Sequence, residues 1–169
     1  MGAGRDERAW VRGAQRGSIA DLEALFRAHW PRAFRAAYLV VHDAAAAEDI
    51  AQESFLAALR ALDRFDRRRP FGPWLHRIVV NRAIDWTRAR QLRAEAELGE
   101  TYAAPPDAEP LDGTLLAAMG ALPPDQRAVV VLRHLLGYTP GEIAKALDLP
   151  RGTVNSRLRR GLDSLKEQV

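Results

Sequence analysis

The run Tyr138-Thr139-Pro140-Gly141-Glu142-Ile143-Ala144-Lys145-Ala146-Leu147-Asp148-Leu149-Pro150-Arg151-Gly152-Thr153-Val154-Asn155-Ser156-Arg157-Leu158 decides how the chain is read. Thr139 can cap a helix whose first residue is Pro140, because a first-turn proline forfeits no hydrogen bond and its φ is already helical. Glu142, three positions after the cap, can reach back to it and complete a capping box. Ile143, Ala144 and Leu147 then form an apolar stripe. Asp148 to Pro150 make a tight turn, and a second helix starts near Pro150 with Val154, Leu158, Leu162 and Leu165 at helical spacing on its inner side. The pattern predicts a helix-turn-helix. The outer side of the second helix carries Arg151, Thr153, Asn155, Ser156, Arg157, Arg159 and Arg160. Arg pairs bidentately with guanine, Asn with adenine, and Ser or Thr with phosphate, so this face suits a major groove. A solvated surface would explain a lone charge run; the capped helix and turn before it favour duplex DNA.

Outward from this unit the pattern stays helical. Leu115, Leu116 and Met119 begin a short helix, Pro123-Pro124 punctuates, and Ala128 to Leu135 read as a compact apolar helix. Residues 91–112 are acidic and carry Pro105, Pro106 and Pro110, leaving little apolar surface to offset the entropy of ordering, so they read as a flexible linker. Four helices are expected between Ser18 and Arg90. The first runs from Ser18, its N-cap, to His29, burying Leu22, Leu25 and Phe26; a second starts at Pro31 and repeats Phe34, Ala37, Tyr38 and Val41. The third spans about Ala44 to Leu62, and the fourth opens at Pro73 and continues to about Arg90, with Leu75, Ile78, Val79 and Trp86 inward. No internal repeat is visible. The expectation is an all-α chain of two small helical domains, residues 1–90 and 113–169, joined by the flexible acidic linker. Domains near this size bury only about 60% of their unfolded surface, so each half should be marginal in isolation.

Composition narrows the function. The chain has 169 residues, 47% hydrophobic, 28% charged and 7% aromatic, which suits a folded globular protein. With no cysteine, thiolate metal sites and cysteine nucleophiles are excluded. The longest apolar run, Ala36 to Val41, is far below the ~18 residues of a spanning helix, so no membrane insertion is expected. Asp6 and Glu7 stand where a signal peptide would carry its apolar core, and a cytoplasmic location is expected. Residues 1–90 carry 16 basic and 11 acidic side chains, residues 91–112 carry 1 and 6, and residues 113–169 carry 8 and 5, so two basic blocks flank an acidic one. Of the 25 cations 23 are Arg, a bias that favours bidentate phosphate or base contacts or else reflects a GC-rich genome. There is no phosphate-cradling glycine loop, nucleophile elbow or paired-histidine metal motif. His29, His42, His76 and His134 are dispersed. The chain is therefore expected to have no catalytic residues, metal or cofactor.

Three strings together resemble the bacterial RNA polymerase sigma factors, specifically the extracytoplasmic-function (ECF) group of the sigma-70 family. Leu122-Pro123-Pro124-Asp125-Gln126-Arg127-Ala128-Val129-Val130-Val131-Leu132-Arg133 with the helix-turn-helix is similar to region 4, which binds the minus-35 element. Ala47-Glu48-Asp49-Ile50-Ala51-Gln52-Glu53-Ser54-Phe55-Leu56 resembles the polymerase-binding helix of region 2. Pro73-Trp74-Leu75-His76-Arg77-Ile78-Val79-Val80-Asn81-Arg82-Ala83-Ile84-Asp85 is similar to the helix that reads the minus-10 element. The resemblance implies a protein that directs core RNA polymerase to promoters, and an anti-sigma factor as a further partner.

It also implies roles for particular residues. Asp49, Gln52, Glu53 and Leu56 share one face of their helix, with Ile50, Ala51, Phe55, Ala58 and Leu62 opposite; the first face would dock on the clamp coiled coil of the polymerase. Arg77, Asn81, Asp85 and Arg88 form an outer row behind the loop Asp66-Arg67-Arg68-Arg69-Pro70-Phe71-Gly72. The resemblance makes Asn81 and the loop a pocket for one flipped non-template base, with Arg77, Arg82 and Arg88 on the backbone. Phe71 and Trp74 could stack there, although a proline-flanked aromatic also serves as a hydrophobic anchor, the reading preferred for Trp74. Arg67, Arg68 and Arg69 fit a phosphate track or a solvated loop equally well. Arg151, Thr153, Asn155, Ser156, Arg157, Arg159 and Arg160 would meet minus-35 DNA. Asn155 stands where many relatives have Lys, and Gly161 where they have Ala, a change expected to weaken or bend the recognition helix. The alternative function is a stand-alone helix-turn-helix regulator whose N-terminal half senses a ligand or dimerises, which leaves the Asp49 face and the Arg77 to Arg88 row without purpose.

Overall fold

The computed structural model of the chain describes residues 3–96 and 113–168. Among them are eight α-helices and no strand. The N-terminal module holds α1 (Ala3–Gln15), α2 (Ile19–Val41), α3 (Ala44–Ala61), a 3₁₀ turn (Leu62–Arg64) and α4 (Phe71–Ala96). The C-terminal module holds α5 (Gly113–Ala121), α6 (Pro124–Val130) continued by a π-type turn (Val131–Leu135), α7 (Pro140–Leu147) and α8 (Arg151–Gln168).

Local chemistry places most of these boundaries. Ser18 caps α2 by accepting from the Asp21 N–H at 3.3 Å. Asp43 caps α3 by accepting from the Ala46 N–H at 3.0 Å, and Arg90 of α4 pairs with the same carboxylate at 3.1 Å. Gly17, at φ +86°, supplies the left-handed residue that turns α1 into α2.

Three sequence expectations are corrected. α1 was not anticipated; it buries Val11 and Ala14 against the rest of the module, and Gln15 Nε2 donates to the Leu62 and Phe65 carbonyls at 2.8 and 3.2 Å. The two helices expected on either side of Pro31 are one, since Pro31 lies inside α2. An interior proline costs about 3 kcal/mol. Burial of Leu25 before it and of Ala33 to Val41 after it, with ring contacts running Phe26, Trp30, Phe34, Tyr38 and His42 at each turn, offsets that cost. α4 runs to Ala96, beyond the expected end at Arg90, because Gln91, Leu92, Arg93 and Ala94 are all good helix formers. The remainder of the expected linker, residues 97–112, lies outside the described residues.

The two helical domains lie against each other. α2 and α4 pack against α6, and α2 also meets α5 and the π-type turn. One continuous core includes Val40 and Val80 on one side and Val129, Leu132 and Ile143 on the other. Across this seam Arg127 Nη1 donates to the Val40 carbonyl at 2.6 Å and Arg32 Nη2 to the Leu135 carbonyl at 2.7 Å. The Tyr138 hydroxyl donates to the Pro73 carbonyl. The physical reason is already in the size of the halves: each buries too little alone, and the seam adds apolar burial that neither could supply.

Candidate functional site

The first candidate surface is the outer face of α3. Asp49, Gln52, Glu53 and Leu56 are all exposed, Leu56 at 51%, while Ile50, Ala51, Phe55, Ala58 and Leu62 opposite them are buried. Gln52 Nε2 donates to Glu48 at 3.3 Å, and Glu53 pairs with Arg82 of α4 at 2.9 Å. Phe26, expected in the core, is 41% exposed and rests on Phe55 with ring centroids 4.9 Å apart. The face thus combines acids and an amide with accessible apolar groups, a composition suited to docking.

The second surface is α4 with the loop before it. Arg67, Arg68 and Arg69 are exposed. Asp66 accepts from the Arg68 backbone N–H at 3.0 Å and from its Nε at 3.0 Å, and these bonds hold the Asp66 carboxyl below the usual carboxylate range and raise the guanidinium. Arg68 is therefore partly neutralised by its own loop. Phe71 must be removed from the stacking candidates. It is 1% exposed and packed among Phe65, Trp74 and His29, with centroids 5.3 to 5.9 Å away, so no base can reach its face. A residue in the first turn of a buried helix points where the helix's apolar stripe points, and here that is inward. Trp74 is half-buried with its ring 4.5 Å from Phe65, in keeping with the anchor reading.

Arg77, Asp85 and Arg88 are exposed along α4, and Asn81 and Arg82 are half-buried. Asn81 Nδ2 donates to the Ala146 carbonyl of α7 at 3.3 Å. Arg88 approaches Asp125 of α6 at 3.5 Å. Between them lies a crevice of about 50 Å³ walled by Asn81, Asp85, Arg88, Asp125, Leu149 and Arg157. Ligand pockets measure roughly 300 Å³ or more. The expected base pocket at Asn81 is therefore closed by the C-terminal module in this arrangement.

The third surface is α7 and α8. Thr139 and Glu142 form the expected capping box: the Thr139 N–H donates to Glu142 Oε2 at 2.7 Å and the Glu142 N–H to Thr139 Oγ1 at 3.3 Å. Those bonds hold the Glu142 carboxyl below its ordinary range, the Thr139 backbone N–H first. The turn passes through Asp148 at φ 52°, ψ 51°, whose N–H closes on Ala144. Val154 and Leu158 are buried beneath α8. Arg151, Asn155, Ser156, Arg159 and Arg160 are exposed on its outer side, and Thr153 and Arg157 are half-buried. Arg160 Nε donates to the Ser156 carbonyl at 3.3 Å, Arg159 lies 3.8 Å from Asp163, and Arg157 pairs with Asp125 at 2.8 Å. α8 continues through Gly161, which is buried; a Cβ there would stand 3.0 Å from Val130 Cγ2. The glycine thus admits the close approach of α6, and the expected weakening is answered by packing.

Two residues that sequence reasoning missed matter here. Arg127 is 7% exposed, and its guanidinium also donates to the Gly120 and Leu122 carbonyls at 3.0 and 2.9 Å. Asp125 binds one arginine from each module. Their only signal was position, charged residues just before the apolar run that starts at Ala128, and that pattern does not reveal what lies opposite.

Comparison with known proteins supplies the frame for these surfaces. The sequence profile for Sigma-70 region 2 matches residues 25–93, and that for Sigma-70 region 4 matches residues 112–165. The chain is 36% identical over 163 residues to the ECF RNA polymerase sigma factor SigE of Mycolicibacterium smegmatis, covering 90% of this chain and 63% of that protein. It is 30% identical over 176 residues to the ECF RNA polymerase sigma factor SigW of Bacillus subtilis, covering 94% and 92%. Among solved structures it is similar to CnrH in complex with the cytosolic domain of CnrY, with TM-score 0.66 and 27% identity over 96% of each chain. The two profiles follow each other in the order the helices do, one on each module, and the likeness to SigW runs nearly end to end: the chain belongs to the ECF group of RNA polymerase sigma factors of the sigma-70 family.

Proposed function

We propose that this chain carries core RNA polymerase to specific promoters through three separate contacts. The observation that carries the reading is the pairing of a region 2 match over residues 25–93, which includes the exposed Asp49, Gln52, Glu53 and Leu56 face, with a region 4 match over residues 112–165, which includes the arginine-lined α8. Residues 1–90 act as the polymerase-binding and minus-10 module, residues 113–169 as the minus-35 module, and residues 91–112 join them. The α3 face docks on a basic helical surface of the polymerase. Acids and an amide supply the charge complementarity and Leu56 the buried apolar area.

Arg77, Asn81, Arg82 and Arg88 meet melted minus-10 DNA, with Arg67, Arg68 and Arg69 close enough in sequence to extend the cationic track. Arg151, Thr153, Asn155, Ser156, Arg157, Arg159 and Arg160 meet duplex minus-35 DNA. The chain performs no chemistry of its own, needs no cofactor or metal, and works in the cytoplasm. None of the described helices is long and apolar enough to cross a membrane. The likeness to CnrH, solved in complex with the cytosolic domain of CnrY, supports a further protein partner, which we take to be an anti-sigma factor. The region 2 match accounts for the N-terminal half, which a stand-alone regulator leaves unexplained.

Gel filtration with purified core enzyme tests the docking assignment. The wild-type chain should co-elute, and D49K/E53K should not. Both side chains are exposed, so the double variant should melt within a few degrees of wild type. Undiminished co-elution of the variant would remove α3 as the docking element.

A further inference from the structure

α1 carries a charged face that neither the polymerase contact nor the DNA contacts of the proposed function use. Arg8, Arg12 and Arg16 follow one another at four-residue spacing, Arg16 just past the last turn, and at about 100° per residue they fall within about 80° on the helical wheel. All three are exposed, and none has an ion-pair partner among the described residues. The other side of α1 is fixed inward: Val11, Gly13 and Ala14 are buried, and a Cβ on Gly13 would stand 1.7 Å from Asp21 Oδ2 of α2. Glu7 is turned away from the arginines too, 18% exposed and 2.8 Å from His29 Nε2. The outer face is therefore cationic with no help from Glu7. Like charges four apart weaken a helix, so the row acts against the fold and packing does not account for it.

This row leads into the loop already assigned to DNA. Gln15, at the edge of the same arc, donates to the Leu62 and Phe65 carbonyls at 2.8 and 3.2 Å and so pins the end of α1 beside the 3₁₀ turn and the loop after it. There Arg64, Arg67 and Arg69 are exposed and without an ion-pair partner among the described residues, against Asp63 and an Asp66 already held by Arg68. We propose that Arg8, Arg12 and Arg16 form a phosphate-binding ridge, which extends the cationic track of the minus-10 module onto α1 and grips nucleic-acid backbone beside the bases that module meets. The inference rests on the proposed DNA role of that module. From Arg8 to Arg16 the helix rises about 12 Å, which matches the axial rise of roughly three phosphates on one DNA strand. Contacts to phosphate hold and orient a strand without reading it, so the ridge contributes affinity and position but no sequence preference.

The test uses the full chain and the anisotropy of a fluorescent single-stranded DNA of random sequence, read from about 50 to about 200 mM salt. Each phosphate neutralised contributes about 0.7 to the slope of log affinity against log salt, so R8Q/R12Q/R16Q should flatten the slope by about 2 and weaken binding about ten- to a hundredfold at about 0.1 M. R8K/R12K/R16K keeps the charges and should stay within about threefold of wild type, because lysine serves phosphate as a point charge. R27Q/R93Q/K166Q removes three exposed cations from other helices and should leave the slope unchanged. Should the glutamine triple melt early, Arg12→Gln alone carries the test, with a slope change of about 0.7. Equal losses in the two glutamine triples, or an unchanged slope in R8Q/R12Q/R16Q, overturn the ridge. Loss of binding to anionic phospholipid vesicles with DNA binding intact, or loss of co-elution with core enzyme, gives the row to another partner and overturns it as well. A wild-type chain whose variants respond as predicted but which never joins the polymerase keeps the ridge and sinks the sigma-factor role instead.

Discussion

Replacing Arg127 with methionine should destabilise the chain by about 2–4 kcal/mol, chiefly in its C-terminal module. The guanidinium closes two helix ends at once: Nη1 serves the Val40 carbonyl in the last turn of α2, and Nη2 serves Gly120 in the last turn of α5 and Leu122 just beyond it. Carbonyls in a helix's last turn have no partner within the helix. Hydrogen bonds to a charged donor contribute about 1.5–3 kcal/mol each, so three are worth on the order of 4–9 kcal/mol. Against this, burying a guanidinium costs several kcal/mol, which methionine recovers while keeping most of the apolar contact. Burial has already drawn the Arg127 pKa down to about 10, which leaves it protonated at neutral pH. For a chain of this size the net loss corresponds to a Tm fall of roughly 5–15 °C. The four tryptophans, Trp10, Trp30, Trp74 and Trp86, all lie in the N-terminal module. In urea, tryptophan fluorescence therefore follows that module, and far-ultraviolet circular dichroism follows both. R127M should lower the dichroism midpoint more than the fluorescence midpoint. A loss below about 1 kcal/mol, or equal displacement of the two midpoints, would falsify the double-cap account.

Three further outcomes follow from particular contacts. His76 is 5% exposed, its Nε2 has no hydrogen-bond partner among the described residues, and burial first, then His29 and Arg32, pulls its pKa from 6.5 to about 4. The folded state thus holds fewer protons than the unfolded state, so stability should be lost as pH falls from about 6.5 to about 4, by about 3 kcal/mol from this residue. H76Q should flatten the dependence of Tm on pH over that interval, and an unchanged slope counts against it. Gly161→Ala should stay within about 0.5 kcal/mol of wild type, because a helix-propensity gain of about 1 kcal/mol meets a methyl at 3.0 Å, whereas Gly161→Leu should cost about 1–3 kcal/mol by overpacking. Urea titration decides; a stabilising leucine would mean that α6 and α8 are not in close contact. Arg160→Ala should weaken minus-35 duplex binding by about 1–3 kcal/mol if the side chain reads a base edge. A uniform loss across sequences with a shallower salt dependence would assign it to phosphate instead.

The helix-turn-helix could be read from the chain because its determinants are local: Thr139, Pro140 and Glu142 make their contacts within one turn. The outward face of α3 could be read for the same reason, since Ile50, Phe55 and Ala58 announce the buried side and leave Asp49, Gln52 and Glu53 outside. What the sequence hid depends on contacts between distant segments. Pro31 looked like a boundary because its cost is local and the burial that offsets it is not. Phe71 looked like a stacking platform because periodicity does not show that the nearby Phe65 and Trp74 fold onto it, nor that His29, from α2, packs against it as well. Asn81, Arg88 and Arg157 have the residue types of readers, yet their partners here, Ala146 and Asp125, lie 32 to 65 positions away. Periodicity records which face of a helix is apolar but not which surface covers it.

Transcription by purified core RNA polymerase, with and without this chain, followed by sequencing of transcript 5′ ends from a genomic template, tests the account most directly. The chain should confer a defined set of start sites that share two upstream elements, and R160A should reduce their use. Start sites identical with and without the chain, or a protein that never joins the polymerase, would contradict it.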